Sequence, residues 1–161
     1  GKKSEFVGGL RVTDKETVDI VQMVLAGKVN KSLVNLLQMK GGHAVGLAGI
    51  DGGIIEATMK DEKLGYVGEI TKVDPKVIYD LLEKDFLPII APIGLDENFQ
   101  TYNINADDAA CAIAKAISAE KLAFLTDIEG LYKDINDKAS FISRITFLLS
   151  LIFLMPLIIV A

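Results

Sequence analysis

Histidine and cysteine are nearly absent from this chain, and tryptophan is absent altogether. The single Cys111 excludes an internal disulfide and any paired-cysteine metal motif. The single His43 excludes a histidine-built zinc cluster and a His-containing catalytic triad. No GxxxxGKS/T run occurs, so this is not a P-loop nucleotide site. Lys and Arg form no run or stripe and the net charge is −5, which argues against a nucleic-acid partner. The first residues hold no apolar stretch of the kind a signal peptide needs, and neither an internal repeat nor a low-complexity linker is present. What remains has globular composition, 50% hydrophobic and 24% charged over 161 residues, enough for one domain-sized core.

The last segment, Phe147 to Ala161, is uncharged and almost wholly apolar. It is shorter than the roughly 20 residues a membrane-spanning helix needs, and Pro156 interrupts it. We therefore expect a domain over residues 1–146 and a tail, 147–161, foreign to it, with no membrane anchor.

Between these ends, helical and strand signals alternate. Thr13 followed by Glu16 fits a capping box, and Val18, Val21, Val24 and Leu25 recur at helical spacing up to Gly27, where the helix should stop. A second helix is predicted from Asn30 to Met39, with Leu33, Val34, Leu36 and Leu37 inward. Strands are predicted at His43 to Leu47, Ile54 to Met59 and Leu64 to Val73, where Gly65 and Gly68 permit close backbone approach. Asp74-Pro75 opens a further helix, running to about Lys84. Leu87 to Pro92 and Lys121 to Leu125 read as buried strands, and Asn105 to Ser118 as an Ala-rich helix. The alternation predicts an α/β domain around a mainly parallel sheet, with ligands beyond the carboxyl ends of the strands.

Three stretches could carry chemistry. Tyr102 to Asp107 (YNINAD) gathers amides and an acid at a helix start, where free N–H groups favour anions. Asn103 could bind a ligand carboxylate or amide there, although Asn105 and Asp107 read equally as an ordinary cap and first-turn acid. Lys121 to Tyr132 (KLAFLTDIEGLY) brings Thr126 and Asp127 out at a strand's end, suited to a ribose or metal-bound phosphate or to a plain turn. Arg11 follows Gly8-Gly9 and could clamp a carboxylate bidentately, or be a solvated surface residue. Cys111 is expected to be a small buried thiol and His43 to play a structural role. Asp107 and Asp108 point about 100° apart on a helix and form no glycosidase pair.

Taken together, GGLRVTDKETVDIVQMVLAGKVNK (8–31), LGYVGEI (64–70), LPIIAPIG (87–94), YNINADDAA (102–110) and KLAFLTDIEGLY (121–132) resemble the amino-acid kinase family. GLRVTD, LGYVGE and NINAD are similar to its members that act on N-acetyl-L-glutamate. The resemblance implies a three-layer sandwich around a mainly parallel sheet, incomplete at both ends. It implies transfer of the ATP γ-phosphate to the γ-carboxylate of N-acetyl-L-glutamate in arginine synthesis, with Mg2+ carried on the nucleotide and no protein-held metal. By the same resemblance Arg11 and Asn103 bind substrate, and Asp107 orients two catalytic lysines. Asp127, Ile128, Glu129, Gly130, Leu131 and Tyr132 line the ATP site. A cytoplasmic homodimer or higher homo-oligomer is implied, with the helix from Asp14 to Leu25 in the region that pairs. Both family lysines are expected to lie outside this chain, upstream of Gly1 and beyond Thr146, so it should be an internal piece and a poor catalyst. The alternatives are another kinase of the family, such as a glutamate 5-kinase relative, or a non-catalytic binding module with a membrane-associating tail.

Overall fold

The computed structural model describes residues 6–7, 10–125, 131–134, 136–142 and 156–160. They belong to two compact units, Gly1–Ile117 and Ser118–Ala161. The first unit opens with an antiparallel pair, β1 (Phe6–Val7) and β2 (Leu10–Arg11), that sets Arg11 opposite Phe6. A helical run follows, made of α1 (Lys15–Gln22), a π-helical stretch (Met23–Val29) and α2 (Asn30–Met39). Next come β3 (Ala44–Ala48), β4 (Ile55–Met59), β5 (Val67–Val73) and α3 (Lys76–Leu82). The unit finishes with β6 (Leu87–Ala91), β7 (Ile93–Leu95), β8 (Thr101–Ile104) and α4 (Ala106–Ala116). The second unit contains β9 (Lys121–Leu125), β10 (Leu131–Tyr132), β11 (Phe141–Ile142) and β12 (Pro156–Val160).

The architecture is mixed α/β, with parallel and antiparallel strand pairs. β3 and β6 run parallel, as do β9 and β12. The expectation of a mainly parallel sheet fails at β4, β5, β8 and β7, which close on one another with β4–β5 and β7–β8 antiparallel and β5–β8 and β4–β7 parallel. The reason is connection length: so few residues separate β4 from β5, and β7 from β8, that the chain must turn back on itself, whereas a parallel pair needs a long crossover. Val18, Ile54, Ile55, Ile78 and Ile93 are fully buried and form the heart of this unit. Gly68 lets β5 lie against the side chains of Ile104 and Tyr102, where any Cβ would collide.

Helix boundaries differ from the sequence reading in instructive ways. α1 is capped by Asp14, whose carboxylate accepts from the Thr17 amide at 2.8 Å, and not by Thr13, whose hydroxyl is engaged elsewhere. Gly27 does not stop the helix. A helical glycine costs only about 1 kcal/mol relative to alanine, and the chain widens into the π-helical stretch instead. That widening shifts the phase of the apolar stripe, so Val24 is exposed although its spacing placed it inward. Leu36 is likewise exposed, while Leu33, Val34 and Leu37 are half-buried. β6 is buried at Pro88 and Ala91 but exposed at Leu87, since a strand partner lies on one edge only among the described residues. β9 was expected to be buried, yet Phe124 and Leu125 are exposed; the described residues of its unit include no α-helix to cover it. Cys111 is exposed too. It shares the outer face of α4 with Asp107 and Lys115, four residues away on either side, while Ala109, Ala110, Ile113 and Ala114 face inward. The expected boundary at Thr146 lies outside the described residues, and β12, from the apolar end segment, pairs along its whole length with β9. Among the described residues no helix is long and apolar enough to cross a membrane.

The turn between β7 and β8 hangs on Asp96. Its Oδ1 accepts from the amides of Asn98 at 2.9 Å and Gln100 at 2.8 Å, and its Oδ2 from the Tyr102 hydroxyl at 3.2 Å. The Gln100 amide foremost, then those of Asn98 and the Tyr102 hydroxyl, hold the Asp96 carboxyl below its ordinary range, while burial pushes Tyr102 up. Phe99 in this turn has φ 62° and is 81% exposed, a left-handed conformation that asparagine adopts more readily. Phe99→Asn is expected to stabilise the unit by about 0.5 kcal/mol, seen as a higher thermal midpoint. A lower midpoint would show that the ring contributes packing.

Candidate acceptor site

Thr13 is the joint on which the site is built. Its amide donates to the Leu64 carbonyl at 2.9 Å and its carbonyl accepts from the Tyr66 amide at 2.7 Å, so residue 13 bridges Gly65 as in a parallel ladder. Gly65 makes this approach possible: it sits at φ 68°, and a Cβ there would run into the Thr13 carbonyl oxygen. Tyr66 in turn accepts the Asn103 amide at 2.9 Å, and Asn103 lies opposite Val67 on one side and Ile93 on the other. The stretches GLRVTD, LGYVGE and NINAD, far apart in sequence, thus share one backbone network.

Side chains tighten it. The Thr13 hydroxyl donates to the Arg11 carbonyl at 3.0 Å and accepts from the Asn103 Nδ2 at 3.5 Å, a long bond. Thr13 itself is 0% exposed, so its hydroxyl has no water to turn to. Arg11 is exposed, its guanidinium 4.8 Å from the centre of the Phe6 ring. Asn103 is half-buried, and among the described residues its side chain makes no hydrogen bond besides that to Thr13. The Thr13 hydroxyl, whose residue type and spacing also suit a helix cap, therefore links the Arg11 main-chain carbonyl to the Asn103 side chain, while the Arg11 guanidinium extends over Phe6. Tyr66 and Tyr102 lie 6.3 Å apart beside them, and the Lys15 ammonium stands 5.5 Å from the Tyr66 ring centre.

Asp107 occupies the exposed first turn of α4, next to the cap that Asn105 makes by accepting the Asp108 amide at 3.0 Å. Its carboxylate meets no cationic partner among the described residues. Asp108 points elsewhere, to Lys60 at 3.4 Å, and Lys60 also pairs with Glu69 at 2.7 Å. The hydrogen bond that its ammonium donates to the Glu69 carboxylate is the main reason Lys60 titrates above its usual range. Asp127, Ile128, Glu129 and Gly130, together with Gly8 and Gly9, lie outside the described residues. Of the expected nucleotide segment, Leu131 and Tyr132 form β10, and the Tyr132 ring meets Phe141 edge-on at 5.6 Å. Among the described residues no group of His, Cys, Asp or Glu gathers to hold a metal ion.

The sequence pattern described as the Amino acid kinase family matches residues 1–148, and the chain belongs to that family. Acetylglutamate kinase of Campylobacter jejuni subsp. jejuni serotype O:2 is 64% identical over 146 residues, covering 91% of this chain and 52% of that protein. Acetylglutamate kinase of Heliobacterium modesticaldum is 46% identical over 157 residues, covering 90% and 53%. Among solved structures, the smu.665 protein of Streptococcus mutans UA159 is similar with a TM-score of 0.75 and 31% identity, over 82% of this chain and 55% of that one. N-acetylglutamate synthase from Neisseria gonorrhoeae, complexed with coenzyme A and N-acetyl-glutamate, is similar with a TM-score of 0.67 and 25% identity, over 82% and 31%. The chain spans about half the length of the curated relatives it matches.

Proposed function

We propose that this chain carries the acceptor side of a kinase that moves the ATP γ-phosphate to the γ-carboxylate of N-acetyl-L-glutamate, a step of arginine synthesis in the cytoplasm. The observation that carries this reading is the joining of Arg11 and Asn103 through the Thr13 hydroxyl, in a chain whose curated relatives are named acetylglutamate kinase. Arg11 would grip one carboxylate of the acceptor with its planar pair of N–H donors, and Asn103 would meet the rest with its spare amide proton and oxygen. In the reaction a γ-carboxylate oxygen bonds to the γ-phosphorus as the bond from phosphorus to the ADP oxygen breaks, giving an acyl phosphate and ADP. Such transfer calls for positioning and charge neutralisation more than for a covalent nucleophile. Mg2+ would arrive on the nucleotide and neutralise its phosphates; the residues proposed for that side are Asp127 to Tyr132.

Asp107 is proposed to orient two catalytic lysines. The complete fold is proposed to be the family's three-layer sandwich. The exposed apolar residues Ile20, Met23, Val24 and Leu36 support pairing of two copies through the helical run.

Calorimetric titration tests the acceptor assignment. N-acetyl-L-glutamate should bind while L-glutamate, with its free ammonium, should not, and Arg11→Ala should weaken binding at least about tenfold by removing a charge-assisted contact. Equal binding of the two acids, or no effect of Arg11→Ala, would sink the assignment and favour another kinase of the family.

A further inference from the structure

We infer that Thr13 is a positioning residue of the acceptor site, its buried hydroxyl setting the spacing between Arg11 and Asn103. This rests on the acceptor reading above and adds to it a residue that touches no substrate. The Thr13 hydroxyl has one proton to give and lone pairs to receive, and both directions are used: the proton goes to the Arg11 carbonyl and a lone pair takes an Asn103 amide proton. The backbone of residue 13 is held on both sides by Leu64 and Tyr66, so the hydroxyl is a fixed post and the two binders are tethered to it.

Each tether does a different job. The bond to the Arg11 carbonyl fixes the end of β2, from which the guanidinium side chain extends. The bond from Asn103 selects one rotamer of a side chain whose terminal torsion is otherwise broad, and decides which face of the amide turns to the ligand. A cap at this position would need only any Ser, Thr, Asp or Asn; the cap is already supplied by Asp14. The hydroxyl is therefore free for the tethering role, and its burial keeps water from replacing it.

The test uses the whole chain and needs no turnover. In nitrogen-edited NMR of the ligand-free protein, the Asn103 side-chain amide should be rigid in the native chain and in Thr13→Ser, and averaged in Thr13→Val, which keeps the shape without the hydroxyl. Titration with N-acetyl-L-glutamate should then show Thr13→Val binding about tenfold more weakly and Thr13→Ser within about twofold of native. A merely structural role would move the melting temperature yet leave the Asn103 amide rigid in every folded variant, and that result overturns the inference. Should Thr13→Val fail to fold, the native chain decides alone, because a freely rotating Asn103 amide there is equally fatal. If the Asn103 amide behaves as expected but N-acetyl-L-glutamate binds to no variant, the tether stands and the acceptor reading falls.

Discussion

Gly65→Ala should cost at least about 3 kcal/mol and abolish binding of N-acetyl-L-glutamate together. Two effects add at this residue. Its backbone, at φ 68° and ψ −126°, lies where side-chain-bearing residues are strained. The new methyl group would also strike the Thr13 carbonyl oxygen, a backbone atom with no freedom to withdraw. Any retreat of Thr13 lengthens the bond from the Tyr66 amide and that from its own amide to Leu64, and carries the hydroxyl away from Arg11 and Asn103. Gly53→Ala separates strain from collision, since Gly53 has φ 70° but nothing within 4 Å of an added Cβ. That variant should lose only about 1 kcal/mol and keep its ligand. Denaturant melts of the two proteins, followed by ligand titration at a temperature where both are folded, give the answer. A Gly65→Ala protein that melts like Gly53→Ala and still binds would mean that the bridge between residues 13 and 65 is not what assembles the site.

Much of the first unit was legible because its signals are local. The α2 span from Asn30 to Met39, the Pro-bounded strand at Leu87 and the Asn105 cap depend on neighbours a few residues away, and the structure holds each of them. What escaped depends on partners far along the chain. Thr13 and Asp14 are both good capping residues, and only the bridge to Gly65 decides which of them caps α1. The ion pairs of Lys60 with Glu69 and Asp108 join positions that no spacing rule links. Cys111 is a different case. The pattern Asp107, Cys111, Lys115 at four-residue intervals already marks the wet face of α4, and weighing thiol preference above periodicity hid it. For the candidate site, the motifs were visible as resemblances, whereas their convergence on one residue, Thr13, was not, because it requires three segments far apart in the chain to be folded against one another.

The long helical run offers a second large effect, at Asn30. This side chain is 2% exposed, and its Nδ2 donates to the Leu47 carbonyl at 3.0 Å and to the Ile89 carbonyl at 2.7 Å, tying the helix to β3 and β6 at once. Its Oδ1 accepts from the Lys31 ammonium at 3.1 Å, which also reaches the Gly46 carbonyl at 2.8 Å. Asn30→Ala deprives two strand carbonyls of these donors, and at about 1 to 3 kcal/mol for each orphaned group the loss should be about 3 kcal/mol. Gly46→Ala should be comparably harmful by another route, because its Cβ would collide with the Asn30 amide oxygen and lie 2.7 Å from the Lys31 ammonium. The two losses cannot simply add: once Asn30 is alanine, the new methyl group has lost its main obstacle and enters the space left behind. A double-mutant cycle on urea midpoints should therefore show the pair at least about 1 kcal/mol less destabilised than the sum. Additive losses would mean that Asn30 and Gly46 act independently, and that the π-helical stretch before Asn30 does not deliver its side chain between the two strands.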